Sequence, residues 1–251
     1  MIKGLETFRS AFREYSGSYI LIGGAACNIN LERAAIPFRT THDLDIVLCV
    51  ESLTPEFGRV FWRFIRSGGY QIQERSTGEK KFYRFRKPTA QDYPEMLELF
   101  ARQPDNFEIP QDSQLTPIPM DEEVSSLSAI LLDGDYYQFI QNNRIVVDGI
   151  SLLSAEALIV LKAKAWLDLS ARKEAGEHVD SKDIKKHKND VFRLWASTSR
   201  ETSVTVPAGI KEDMQRFLAL LEDEEVDLSS LHIDIHKTEV LGSLRLMFEK
   251  A

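Results

Sequence analysis

The stretch Arg39–Leu48, RTTHDLDIVL, decides how the rest of the chain is read. From Asp43 onward it has the pattern of a strand, rich in aliphatic and β-branched residues, with two carboxylates at its mouth. In an extended chain Asp43 and Asp45 project to one face, and Leu44 and Ile46 to the other. The carboxylates then stand about 7 Å apart at the backbone and can converge further. Such a pair repels itself and costs stability unless cations neutralise it. Mg²⁺ binds one or two carboxylates and completes its shell with water and substrate phosphates, so the pair reads as a metal clamp. Taken alone, Asp-x-Asp is short and common, and more often marks two surface carboxylates at a strand start.

The upstream context sharpens the reading. Tyr19–Ile22 is an apolar strand, and Gly23-Gly24 follows it directly, ahead of a small-residue segment that could open a helix. Glycines there let backbone N–H groups approach an anion closely, helped by the helix's positive end. A lone Gly-Gly is more often a tight turn, so the pair carries weight only in combination with the aspartates.

At 251 residues and 43% hydrophobic content, the chain can bury a real core as one large domain or two modest ones. A net charge of −8 argues against a general polyanion-coating protein. The two cysteines, Cys27 and Cys49, lie in apolar stretches and read as buried thiols of a reducing compartment. No apolar run reaches the ~20 residues of a membrane helix, and the N-terminus has no signal-peptide core. The expectation is a cytoplasmic protein with no membrane partner.

Residues 2–16 have a short amphipathic pattern carried by Leu5, Phe8 and Phe12. A helix is expected over 55–67, stopped by Gly68-Gly69. KKFYRFR and MLELFAR then read as strands. The proline-bearing stretch 103–121 reads as a long loop. SSLSAILLD and RIVVDGISLL look like further strands. From Ser154, a natural N-cap, the pattern turns wholly helical: 155–175, 182–197, 207–223 and 237–250. The order is mixed α/β followed by all-α, with a boundary near 150.

Strand, Gly-Gly, helix and RTTHDLDIVL together resemble the nucleotidyltransferase superfamily of the DNA polymerase β type. Within it the match is closest to the AbiEii-type toxin family, whose pattern is Gly-Gly or Gly-Ser, a helix, then Arg-x-Thr-x-Asp-hydrophobic-Asp. Gly23, Gly24, Arg39, Thr41, Asp43 and Asp45 stand at the matching positions. The resemblance implies an α+β fold: a mixed sheet with flanking helices over 1–150, the nucleotidyltransferase domain, then a helical C-terminal domain over 151–251. It also calls for a third carboxylate on a neighbouring strand. Glu98 is the leading candidate, because Leu97 and Leu99 beside it would face the core while it faces outward. Glu95 and Asp148 follow.

The implied activity is transfer of a nucleoside monophosphate from a nucleoside triphosphate to an acceptor hydroxyl. Asp43, Asp45 and Glu98 would be catalytic and would hold Mg²⁺, two ions being expected. Gly23, Gly24, Arg39, Thr41 and Lys162 would bind the nucleotide, Lys162 as a positive charge reaching the triphosphate from LIVLKAKAW. An ordinary helix lysine paired with Glu156 or Asp168, or with neither, is the plain alternative for Lys162. Lys164 reads as a surface partner of Asp168. In DSKDIKKHKNDVFRLW either Asp183 or Asp190 fits the family's acidic position. His187 reads there as a packed residue, and Lys182, Lys185, Lys186, Lys188 and Arg193 as a solvated basic face. The acceptor is not legible in the residues. Members of the AbiEii type act as toxins of toxin–antitoxin pairs, which makes a tRNA end the leading acceptor and a cognate antitoxin a candidate partner. The competing reading is a catalytically silent protein that binds a nucleotide or partner on the same fold.

Overall fold

The computed structural model describes residues 2–77, 80–101, 115–117 and 133–249. It divides into two compact units, Met1–Ile29 with Phe38–Met120 and Arg144–Leu153, and Asn30–Pro37 with Asp121–Asn143 and Ser154–Ala251. The second unit takes in Asn30–Pro37 and Asp121–Asn143 as well as the stretch from Ser154. Sequence order alone does not show that regrouping.

The first unit is built on a mixed sheet. Its described strands are β1 (Tyr19–Ile22), β2 (Asp43–Leu48), β3 (Gln71–Thr77), β4 (Lys80–Arg86), β5 (Met96–Ala101), β6 (Leu115–Pro117), β7 (Arg144–Val147) and β8 (Ile150–Leu153), in the spatial order β6-β3-β4-β5-β2-β1-β8-β7. β2 runs antiparallel to β1 and parallel to β5, and β5 runs antiparallel to β4. β1 and β2 sit in the middle of the sheet, so their aliphatic residues are buried, as expected of strands covered on both faces.

Two helices seal one aromatic core. α1 (Leu5–Phe12) contributes Phe8 and Phe12, and α3 (Pro55–Gly68) contributes Phe57, Phe61, Phe64 and Ile65. The α3 set recurs at i, i+4, i+7 and i+8, one stripe of an amphipathic helix. Phe8 meets Tyr19 of β1 edge-on at 5.3 Å between ring centres. The ends of α3 are written locally: Thr54 accepts from the Phe57 N–H at 3.2 Å, Pro55 opens the first turn, and Gly69 closes it at φ +63°. Cys27 and Cys49 are buried thiols that form no disulfide.

β3 is absent from the sequence reading, because QIQERST offers no apolar alternation. Leu115–Pro117 is a strand inside the stretch expected to be loop. Residues 125–132 of SSLSAILLD lie outside the described residues.

The second unit is helical. α4 (Gly134–Asn142) is capped by Asp133, whose carboxylate accepts from the Asp135 and Tyr136 N–H groups. α5 (Ala155–Glu174) starts at Ser154, whose hydroxyl accepts from the Ala157 N–H at 3.3 Å. α6 (Ser181–Ala196), α7 (Ala208–Asp223) and α8 (Lys237–Glu249) complete it. Trp166 of α5 packs edge-on against Phe217 of α7, and Trp195 of α6 donates its indole N–H to Ser243 Oγ of α8 at 3.0 Å. Among the described residues no helix is long and apolar enough to cross a membrane.

Candidate active site

Strand register assembles the site. Across the parallel β2–β5 pairing Asp45 lies opposite Glu98, and Asp43 opposite Met96. Across the antiparallel β4–β5 pairing Arg84 lies opposite Glu98. Opposed residues in a sheet share a face, so Arg84, Glu98 and Asp45 form one charged row over three adjacent strands. Along β2, Leu44 and Ile46 are buried while Asp43 and Asp45 keep partial access to solvent. That is the alternation RTTHDLDIVL implied.

Glu98 is the hub of the row. Its Oε1 accepts from Arg84 Nε at 2.7 Å and lies 2.6 Å from Nη2. The same carboxyl shares a hydrogen bond with Asp45. Burial, with the neighbouring Asp45 charge second, pushes the Glu98 carboxyl up to about 8, against the opposing pull of Arg84. Two carboxyls at hydrogen-bond distance cannot both be ionised cheaply, so at neutral pH the pair holds one proton in the absence of a cation. One guanidinium, one carboxylate and one neutral carboxyl leave the row without net charge.

The paired glycines belong to the same construction. Gly23 follows β1, where Ile22 lies opposite Asp45, and it is the first residue of α2 (Gly23–Arg33). Its φ is +62°, and a Cβ there would stand 1.7 Å from Asp45 Oδ2. A side chain is excluded twice over, by backbone conformation and by the carboxylate seated against the Cα. The seat is the start of a helix, where unpaired N–H groups and the helix dipole favour negative charge. A Cβ on Gly24 would stand 2.8 Å from Thr41 Oγ1, which places Thr41 beside the same turn. Arg39 holds its guanidinium carbon 4.2 Å from the centre of the Phe38 ring.

Of the three carboxyls considered for the third position, the structure brings Glu98 alongside Asp45. Glu95 lies just outside β5, donates its N–H to the His42 carbonyl at 3.2 Å, and has its carboxylate 3.4 Å from both Lys3 Nζ and His42 Nδ1. Asp148 sits at φ +49° in the turn between β7 and β8.

Lys162 is a residue of the helical unit, where its Nζ lies 3.3 Å from Asp190 Oδ2. Asp190 is fully buried and also faces Arg193 at 3.7 Å. Asp190, one of the two acidic candidates in α6, therefore meets the lysine. Lys164 does pair with Asp168, at 3.6 Å, and more closely with Asp213, at 3.0 Å. Lys188 departs from the expected basic face: it is buried, and it donates to the Glu225 carbonyl at 2.9 Å as well as to the Glu224 carboxylate. His187 is buried, as a packed residue would be.

Arg84 is the site residue that sequence reasoning missed. The signal was there: an arginine on an aromatic strand, two residues from another, demands a buried counter-charge. Which strand supplies it is set by pairing.

The donor set suits a hard cation. Asp43, Asp45 and Glu98 offer only carboxylate oxygens, and the pair at hydrogen-bond distance carries a surplus of negative charge that a proton now offsets. Among the described residues no three His, Cys, Asp or Glu side chains already surround one point.

No protein-family model matches the chain. No curated protein matches it. Among solved structures it is similar to an antigenic nucleotidyltransferase-like protein from Paracoccidioides brasiliensis, with a TM-score of 0.50 and 15% identity, over 100% of this chain and 96% of that one. At that identity the likeness speaks for the fold, which is nucleotidyltransferase-like.

Proposed function

We propose that this chain is a metal-dependent nucleotidyltransferase, moving a nucleoside monophosphate from a nucleoside triphosphate to an acceptor hydroxyl. The observation that carries the reading is the seating of Asp45 between Glu98 and the bare Cα of Gly23, at the first turn of a helix. A carboxylate pair at a helix N-terminus is where a cation and a polyphosphate can be held together.

Asp43, Asp45 and Glu98 would hold Mg²⁺, which when bound would neutralise phosphate charge and acidify an acceptor hydroxyl. Gly23 and Gly24, whose missing Cβ atoms leave room for Asp45 and Thr41, are proposed to present the N–H groups of the first turn of α2 to a phosphate. Asp45 is kept on the site face by its strand and by the seat at Gly23. Glu98 in its proton-holding state is a candidate to exchange that proton with the acceptor. Arg39 and Thr41, on the segment leading into β2, are proposed as nucleotide contacts. A tRNA end remains the leading acceptor and a cognate antitoxin a candidate partner, both on the AbiEii-type motif alone.

One observation favours a second reading. Arg84 occupies Glu98 with two donors, as it would in a protein that binds nucleotide without turning it over. One experiment separates the two. The protein is incubated with each α-labelled nucleoside triphosphate, Mg²⁺ and total RNA, beside Asp43→Asn and Asp45→Asn variants. Label transfer by the wild type, lost at least 100-fold in both variants, is the expected result. Thermal stabilisation by nucleotide with no transfer to any acceptor overturns the enzyme in favour of the silent binder.

A further inference from the structure

We propose that Arg84 is a built-in counter-cation: its guanidinium balances Glu98 while the site is empty and competes with a divalent ion for the Asp45–Glu98 pair. The inference rests on the cation reading of this site and adds a residue and a rule of order to it.

The geometry is specific. Two Arg84 contacts, at 2.7 and 2.6 Å, fall on one oxygen, Oε1 of Glu98. Asp45 is the neighbour of Glu98 in register on the other side. Arg84 and Glu98 are 9% and 8% exposed, so water does little to screen them, and charge–charge terms are larger than at a surface. Burying an arginine in a sheet row carries a desolvation cost that well-packed apolar residues would avoid. Phe85, Leu97 and Leu99, the neighbours along these strands, are all buried apolar side chains.

What the pair does is set the charge that an arriving cation meets. With Arg84 in place one carboxylate of the pair already has a counter-cation. A divalent ion binding beside Glu98 would stand within two strand spacings of the guanidinium, each about 4.8 Å. Repulsion at that distance in a poorly screened site outweighs whatever affinity is gained by having Glu98 oriented. A nucleoside triphosphate brings its own negative charge and removes the imbalance. The cation is then expected to arrive with the nucleotide and not before it.

The test reads cation binding without nucleotide and without turnover. Mn²⁺ is titrated into the full-length protein and free ion is followed by electron paramagnetic resonance. Arg84→Met is expected to bind Mn²⁺ at least tenfold more tightly than wild type, about 1.4 kcal/mol. Arg84→Lys, which keeps the charge but loses the two-donor fork, should gain less. Arg86→Met removes the same charge two residues along the strand, opposite Met96, and should stay within threefold of wild type. Should Arg84→Met fold only when Mn²⁺ is present, the ion has replaced the guanidinium and the proposal stands. Should it not fold at all, Arg84→Lys decides, and affinity no higher than wild type overturns it. Equal or weaker binding by a folded Arg84→Met also overturns it, provided Asp45→Asn abolishes saturable binding. If binding is indifferent to Asp45, the cation site itself is misplaced and this inference falls with it.

Discussion

Replacing Glu98 by glutamine isolates the proton that the Asp45–Glu98 pair holds. Glutamine copies the protonated acid: its carbonyl accepts from Arg84 and its amide donates to Asp45. In the unfolded chain Glu98 loses its proton near 4.5, whereas burial and the Asp45 charge keep it protonated in the fold up to about 8. Between those values the native state holds one more proton than the unfolded state, so stability falls as pH rises. The slope is about 1.4 kcal/mol per pH unit. Relative to Glu98→Gln, which has nothing to titrate, the wild type should lose about 3 kcal/mol by pH 7 and about 4 kcal/mol by pH 8. Below pH 4 the two proteins should be nearly equal. The assay is urea unfolding at pH 4, 5, 6, 7 and 8 in chelator, with the difference in unfolding free energy plotted against pH. A difference that stays flat from pH 5 to 8 would mean that Glu98 is an ordinary ionised partner of Arg84, and the reasoning about the shared proton would be wrong.

Gly23→Ala puts a methyl 1.7 Å from Asp45 Oδ2 at a φ of +62°; it should cost at least about 2 kcal/mol and displace Asp45, abolishing any transferase activity. Gly24→Ala meets only the rotatable Thr41 hydroxyl at 2.8 Å, and should cost about 1 kcal/mol or less by the same denaturation assay. Lys162→Met leaves the fully buried Asp190 carboxylate without its lysine and should cost about 3–5 kcal/mol. The double change with Asp190→Leu should recover more than half of that, and a double variant as unstable as the sum of its parts would show the two residues uncoupled.

The heart of the site was legible because it obeys a period of two. Asp43 and Asp45 alternate with Leu44 and Ile46, and Glu98 is flanked by Leu97 and Leu99, so facing direction follows from a single strand. Arg84 was not legible, since its meaning depends on which strand lies next to β4, and no local pattern carries that. The same holds for Lys162 and Asp190, which meet across two helices. α4 went unread because a nine-residue helix offers few turns over which a period can register. β3 offered no alternation at all. Local rules did set the helix ends, at Thr54, Gly69 and Ser154, where one side chain or one left-handed residue is enough. The grouping of Asn30–Pro37 with the helical unit is a matter of packing, on which linear order is silent.

The row of charges also has a history in time. Arg84 and Glu98 come from neighbouring antiparallel strands, whereas Asp45 must be joined to Glu98 by a parallel pairing between segments far apart in the chain. Short-range pairings close early in folding and long-range ones late. The guanidinium is therefore expected to be in place before the second acid arrives. The nascent sheet would then bring Asp45 to a carboxyl already held by Arg84.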